Sequence, residues 1–120
     1  MIEINVNTKR NKIEIRGHAM PEESTEYGLI CSAVSAVAQS CAYALSKRTG
    51  QGDIKAVDYI DKPGNFRLKV FPEGEIGTAV VQTIISVYSD GLELLAASHP
   101  EAVTMIRDNR RIEAEEVLAV

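Results

Sequence analysis

IKAVDYIDKPGNFRLKVF, the sequence of residues 54–71, decides the fold of this chain. Its middle, residues 61–65, contains a Pro-Gly pair, which is a strong signal for a tight turn. After the turn, apolar residues alternate with basic ones; they are Phe66, Leu68 and Val70. Such alternation is typical of a strand with one buried face. We therefore predict a β-hairpin with strands at residues 54–60 and 66–71.

A second strand pair lies at the start of the chain. Apolar residues again alternate with polar ones in two short runs, which are Ile2, Ile4 and Val6, and then Ile13 and Ile15. The polar residues 7–12 between these runs are predicted as a hairpin turn. The chain therefore has two predicted hairpins, each with one buried face.

Two long segments with helical periodicity follow the two hairpins. In residues 30–47 apolar side chains recur at steps of three and four; they are Ile30, Val34, Val37, Cys41 and Leu45. In residues 75–97 the predicted buried stripe is Val80, Ile84, Val87, Gly91 and Leu95. Such steps place the residues on one helix face. A closing strand is predicted at residues 102–107.

The predicted order is strand, strand, helix, strand, strand, helix, strand. It favours an α+β fold, a two-layer domain with both helices on one face of a mixed sheet. Residues 1–107 are predicted to form this domain. Residues 108–120 are a C-terminal extension, for which a last strand, a short helix and an interface tail all remain open.

The composition narrows the class of protein. A chain of 120 residues with 45% hydrophobic residues suits one compact domain. A net charge of −4 and a pI near 5.2 argue against a nucleic-acid-binding surface. No basic leader and no uninterrupted apolar stretch of membrane length is apparent, so we expect a cytoplasmic protein without a membrane partner. The two cysteines and two histidines lack the paired short spacing of a metal site, and neither a metal nor a cofactor is expected.

A histidine and a cysteine stand out as candidate catalytic residues. His18 leaves a predicted strand directly after Gly17, and Cys31 falls in the first turn of the predicted helix at residues 30–47. Unpaired N–H groups at a helix start favour a thiolate and can also receive an oxyanion. A thiol and an imidazole on two rigid elements suffice for nucleophilic catalysis. The competing interpretation is a small core cysteine beside an exposed strand-end histidine.

The neighbours of this pair have predicted roles of their own. Cys41 lies on the apolar stripe of the helix and is predicted to be structural core. Ser35 lies one turn after Cys31, where its hydroxyl is in reach of the thiolate, the imidazole or a substrate carbonyl, or simply permits close packing. Residues 19–29 contain a proline, a glycine and three glutamates without apolar periodicity, so we predict a mobile flap there.

These residues also carry a resemblance to a known family. Gly17-His18-Ala19, Tyr27-Gly28 and the stretch at residues 30–37, ICSAVSAV, resemble the ribosomal-processing cysteine protease Prp family. Further likeness lies in residues 82–86 and 91–92 of the second predicted helix and in the step at residues 100–101, so the resemblance covers most of the chain up to about residue 107.

The resemblance implies a homodimeric cysteine endopeptidase that removes a short N-terminal extension from a large-subunit ribosomal protein. By the matching motifs, His18 is the base, Cys31 the nucleophile and Ser35 a supporting residue. The flap would close over an extended peptide, and the implied substrate-binding positions are Gly17, Ala19, Glu26, Tyr27 and Gly28.

One departure from the family pattern keeps other functions open. The family usually carries an aspartate in the segment between its glycine and its cysteine, whereas Gly28-Leu29-Ile30-Cys31 has none. The departure suits a diverged phage-type paralogue that processes capsid or scaffold protein. It also suits a non-catalytic peptide-binding module. A thiol-dependent acyltransferase is a weaker alternative, because the sequence lacks a phosphate-cradling glycine loop.

Overall fold

The computed structural model describes residues 1–18 and 25–118, with a six-stranded sheet, two long helices, one short helix and a 3-10 turn at Thr49–Gln51. The strands are β1 (Ile2–Asn7), β2 (Lys12–Gly17), β3 (Ile54–Lys62), β4 (Asn65–Pro72), β5 (Val103–Arg107) and β6 (Arg110–Arg111). The helices are α1 (Thr25–Ser46), α2 (Gly74–Ser98) and α3 (Ala114–Leu118).

The strands form one mixed sheet in the order β3-β4-β2-β1-β5-β6. All neighbouring strands are antiparallel except β1 and β5, which pair in parallel between Ile2↔Val103 and Val6↔Arg107. Both long helices cover the same face of this sheet. The predicted α+β class and element order are therefore confirmed, and so is the second hairpin, whose turn is Pro63-Gly64.

The helix-covered face of the sheet carries the core. Alternate residues of each inner strand point into it and are 0–7% exposed. They are Ile2, Ile4, Val6, Ile13, Ile15, Phe66, Leu68, Val70, Val103 and Met105. The predicted alternation in both hairpins is confirmed, because the pleat sends successive side chains to opposite faces.

The first helix starts earlier than the sequence predicted. α1 begins at Thr25 rather than near residue 30, so Cys31 lies in its second turn and not in its first. The sequence analysis took Gly28 as part of a loop, but one glycine costs a helix only about 1 kcal/mol, which the packing of the long helix overrides. The buried side of α1 runs from Ile30 through Val34 and Cys41 to Leu45, as predicted, and Val37 is only partly buried.

The buried face of α2 differs from the prediction by one residue. The buried residues are Gly77, Val81, Ile85, Ser89, Leu92, Ala96 and Ala97, whereas Val87 is 60% exposed. Apolar residues occur all round this helix, so periodicity alone could not select the face. Gly77 determines which face of α2 is buried. A Cβ at this position would lie 2.3 Å from the Asp53 backbone oxygen, so only glycine allows this close approach.

Two helical segments, Gly28–Gln51 and Gly74–Ser98, are long and apolar enough to cross a membrane by length and composition. The sequence expectation that no stretch reaches that length was therefore wrong. Length and composition are weak grounds for a membrane span, since core helices pass the same test. Each of these helices contributes a buried stripe to the core on the sheet.

The C-terminal segment begins with the short strand β6, and α3 follows it. Asp108 accepts hydrogen bonds from the Thr8 backbone N–H and hydroxyl, at 2.8 Å and 3.0 Å to its Oδ1. Arg107 donates to Asp90 at 2.6 Å, and Ile112 packs against the core. Of the alternatives left open for this segment, the structure therefore contains both a short strand and a short helix.

Candidate active site

A cavity of about 420 Å³ opens at one end of the sheet. Its walls come from the end of β2, the second to fourth turns of α1 and the β3–β4 turn. The residues that matter below are His18, Cys31, Ser35, Gln39, Asp61 and Gly64, and all of them line it. The volume lies in the range of ordinary ligand sites, which is roughly 300–1,000 Å³.

The backbone of His18 is fixed where β2 ends. Gly17 has a φ of +92°, and a Cβ at this position would lie 2.2 Å from the Met1 carbonyl oxygen, so glycine is required there. The Gly17 N–H donates to the Gly64 carbonyl oxygen at 3.0 Å, and the Met1 amino group donates to the His18 carbonyl oxygen. These bonds tie the histidine to the β3–β4 turn and to the start of the chain.

The imidazole of His18 lies against Gly64. A Cβ built on Gly64 would be 2.7 Å from Nε2, 3.3 Å from Cε1 and 3.4 Å from Cδ2 of the ring. Gly64 has a φ of +73°, which the tight turn requires and which side chains rarely adopt. The glycine therefore adopts the backbone conformation of the turn and also leaves space for the imidazole.

Cys31 is half-buried and lines the cavity from α1. Because α1 begins at Thr25, the backbone N–H of Cys31 lies inside the helix, where it bonds to the preceding turn. The predicted oxyanion site made of helix-terminal N–H groups at Cys31 is therefore wrong. Ser35 lies one turn further along the same wall and is exposed, so its hydroxyl faces the same space as the thiol.

The prediction that Cys41 belongs to the structural core is confirmed. It is 0% exposed, and burial raises the pKa of its thiol to about 12. Both cysteines belong to the described part of the chain, and no disulfide joins them.

The described part of the predicted flap is helical. Glu26, Tyr27 and Gly28 belong to α1, so the helix replaces the second half of the predicted loop. Gly28 is exposed, and a Cβ there would meet nothing within 4 Å. Ala19 and the rest of the flap up to residue 24 lie outside the described residues. Gly17 lines the cavity.

A polar group that the sequence analysis missed forms another wall of the cavity. The Asp61 Oδ2 accepts hydrogen bonds from Gln39 Nε2 at 3.0 Å and from the Tyr59 hydroxyl at 3.1 Å. Partial burial, and then the hydrogen bond to Asp61, raise the pKa of Tyr59. The alternation in β3 places Tyr59 and Asp61 on one face, but only the folded chain brings Gln39 of α1 to them.

Within residues 1–18 and 25–118 no group of three or more His, Cys, Asp or Glu side chains is placed to hold a metal ion. In the same part of the chain, His18 forms no ion pair with a carboxylate. The cavity thus offers a thiol, an imidazole, a hydroxyl and a hydrogen-bonded carboxylate. These groups suit nucleophilic attack on a carbonyl compound.

The family described as cysteine protease Prp matches residues 1–104, which is most of the chain. No match was found among curated proteins. The matched range contains every cavity residue named above.

Solved structures share the fold. An essential ribosomal processing protease Prp from S. aureus, in complex with a substrate peptide, aligns with a TM-score of 0.67 at 16% identity over 89% of this chain and 99% of that one. The S. aureus protease with a covalently linked product peptide aligns at 0.63, with 17% identity and the same coverage. SMU.848 from Streptococcus mutans aligns at 0.60, with 19% identity over 88% of this chain and 90% of that one.

Proposed function

This chain belongs to the cysteine protease Prp family, and on that premise we propose that it is an endopeptidase in which Cys31 is the nucleophile and His18 the general base. The observation that carries the proposal is that both side chains line the same cavity. Cys31 belongs to α1 and His18 directly follows β2, so two different elements hold the groups of an activated nucleophile.

The proposed reaction is acyl transfer. The Cys31 sulfur bonds to the carbonyl carbon of the scissile peptide, and His18 accepts the thiol proton. His18 then donates that proton to the leaving amine as the C–N bond breaks, which leaves a thioester on Cys31. Water hydrolyses the thioester and restores the thiol. Each step balances without a metal or a cofactor.

The oxyanion of this reaction needs hydrogen-bond donors other than the start of α1. Ser35 lies one turn beyond Cys31 and lines the same cavity, so we assign its hydroxyl the supporting role of donor to the substrate carbonyl. Gly17 and Gly28 are proposed as positions on the substrate side, since both are small and exposed.

The proposed substrate is the N-terminal extension of a large-subunit ribosomal protein precursor, whose removal is needed for ribosome maturation. The family supports a protein substrate, and the similar S. aureus structures are described as ribosomal processing proteases with bound peptides. The cavity has room for side chains of an extended peptide rather than for a folded domain.

The test is to incubate the purified protein with the extended precursor from the same genome and to measure intact masses. We expect loss of the N-terminal extension with the wild-type protein and none with Cys31→Ala or His18→Gln. Cleavage retained by Cys31→Ala would refute the assignment of the nucleophile.

A second candidate function rests on the segment before Cys31. Gly28-Leu29-Ile30 carries no carboxylate, and the imidazole has no carboxylate ion pair within the described residues. This divergence favours a phage-type paralogue that cleaves capsid or scaffold protein. If the divergence has abolished catalysis altogether, the protein is a peptide-binding module without turnover. An intact ribosomal precursor, together with cleavage of a phage capsid precursor, would favour the paralogue. Slow alkylation of Cys31 would favour the binding module.

We further propose that the protein is a cytoplasmic homodimer that does not bind nucleic acid directly. Its net charge of −4 argues against a phosphate-binding surface. One face of α2 carries exposed apolar side chains, and Ile76, Val87 and Leu94 are 78%, 60% and 52% exposed. At about 100° per residue these three share one face, opposite the buried stripe. Sedimentation of the wild type and of Val87→Glu should show a dimer and a monomer respectively.

A further inference from the structure

We infer that Gly64 is a positioning residue for the His18 imidazole, an inference that rests on the proposed catalytic role of His18. The ring lies on the bare Cα of this glycine, so that a Cβ would come within 2.7 Å of Nε2. Real Cβ contacts are essentially never under 3.0 Å. A side chain at position 64 would therefore displace the ring.

The contact is significant because little else in the described chain holds the ring. His18 is exposed, and its side chain has no hydrogen bond or ion pair to residues 1–18 or 25–118. Asp61, a carboxylate that lines the cavity, uses Oδ2 to accept hydrogen bonds from Gln39 and Tyr59. In these residues the ring orientation is thus limited by packing against the turn.

The turn is also fixed relative to the histidine backbone. The Gly17 N–H donates to the Gly64 carbonyl oxygen at 3.0 Å, and Arg16 pairs with Asn65 in the β2–β4 ladder. The backbone of Gly64 is therefore held next to the residues that precede His18. In a cysteine protease, such a wall keeps Nε2 in reach of the thiol and of the leaving amine, and a misplacement of about 1 Å can cost roughly 100-fold in rate.

Two glycines of this chain make a matched test. Gly64 and Gly52 have φ values of +73° and +86°, and a Cβ at Gly52 would meet nothing within 4 Å. Asparagine tolerates this left-handed backbone better than most residues. Gly64→Asn and Gly52→Asn thus impose similar backbone demands, but only the first places a Cβ against the imidazole.

The first measurement is cleavage of the precursor together with the NMR signals of the His18 ring. With only two histidines in the chain, His18→Gln assigns the signals. We expect Gly64→Asn to lower kcat/KM by about 100-fold and to shift the His18 signals. Gly52→Asn should stay within about twofold of wild type, with unshifted signals. Equal cleavage and equal ring signals in the two variants would overturn the inference.

The His18 ring signals test the contact when activity cannot. The imidazole is the far end of an exposed side chain, so it moves away from a new Cβ at little cost in stability. Melting temperature is therefore the control, and Gly64→Asn and Gly52→Asn should lower it by similar amounts. Unshifted His18 signals in folded Gly64→Asn would refute the inference. Failure of the wild-type protein to cleave any precursor would instead refute the proposed function, and the ring signals would still decide the role of Gly64.

Discussion

The two cysteines of this protein lie ten residues apart on one helix and have different environments. Cys31 is half-buried at a cavity that also contains an imidazole, whereas Cys41 is 0% exposed in the core. Ten residues rotate a helix by about a quarter turn, and this rotation separates the two thiols. Orientation relative to the sheet, and not the residue type, therefore places one cysteine at the cavity and the other in the core.

The sheet beneath the two cysteines also differs. Near Cys31, β2 ends and the β3–β4 turn begins, so backbone and polar groups border an open space. Near Cys41, helix and strand residues close on one another, and burial alone raises the thiol pKa. Four measurements test whether the two thiols differ in this way.

Exchange of sulfur for oxygen at each site should separate the two thiols most strongly. Cys31→Ser should lower the kcat/KM for precursor cleavage by at least about 10³-fold, because a hydroxyl is a much weaker nucleophile at neutral pH. Cys41→Ser should stay within about twofold, since Cys41 does not line the cavity. Both variants would be assayed well below their melting temperatures. A large loss of activity in folded Cys41→Ser would show that cleavage depends on both cysteines and not on Cys31 alone.

Alkylation should report the same difference without a substrate. At pH 8 a thiol with a pKa of about 12 is ionised in only about one molecule in ten thousand, so native Cys41 should resist iodoacetamide. Intact mass should therefore show a single added group, which peptide mapping should place on Cys31. The addition of a second group only in denaturant is the control, and early double labelling of the native protein would contradict burial of Cys41.

The pH dependence of stability should isolate Cys41. Its folded pKa lies above its unfolded pKa, so the buried neutral thiol stabilises the protein fully below about pH 9 and this contribution is lost as the pH rises towards 12. Between pH 8.5 and pH 10.5 the wild type should lose about 2 kcal/mol of unfolding free energy that Cys41→Ala does not lose. Denaturant unfolding of both proteins at the two pH values measures the difference. Parallel losses would show that Cys41 titrates normally.

Truncation of the two thiols at neutral pH should give the smallest difference. Cys41→Ala leaves a small void in the core and should cost about 1–2 kcal/mol of unfolding free energy. Cys31→Ala removes a half-buried group at an open cavity and should change stability by about 0.5 kcal/mol or less. Urea unfolding monitored by circular dichroism measures the two losses of unfolding free energy. A larger loss for Cys31→Ala would contradict the half-buried position of Cys31 at an open cavity.

Local patterns predicted the parts of this structure that local interactions determine. The alternation of Phe66, Leu68 and Val70 and the Pro-Gly turn identified the second hairpin, and the stripe of α1 identified Cys41 as core. The start of α1 was missed because Gly28 is a weak helix breaker that tertiary packing overrides. The face of α2 was missed because it depends on the approach of Gly77 to Asp53.

Some features of the site could likewise be predicted from the sequence, and others depend on the folded chain. His18 and Cys31 were chosen from residue type and position, and the structure places both at one cavity, although their catalytic roles stay predictions. The contact of Gly64 with the imidazole depends on the register of β2 against β4. The Gln39 to Asp61 hydrogen bond joins a helix to a strand. Neither of these two contacts can be predicted from a local sequence pattern.

The parallel pairing of β1 with β5 sets the order in which a growing chain can fold. Ile2 pairs with Val103, a contact that closes a loop of about one hundred residues and gives the fold a high contact order. Every cavity residue named here is synthesised before residue 70. However, β1 pairs with β2, the strand that His18 follows, and it gains its second neighbour only when β5 has been made. During translation the cavity side chains therefore exist before the sheet that holds them is complete, and the cavity takes its final shape only after β5 has left the ribosome.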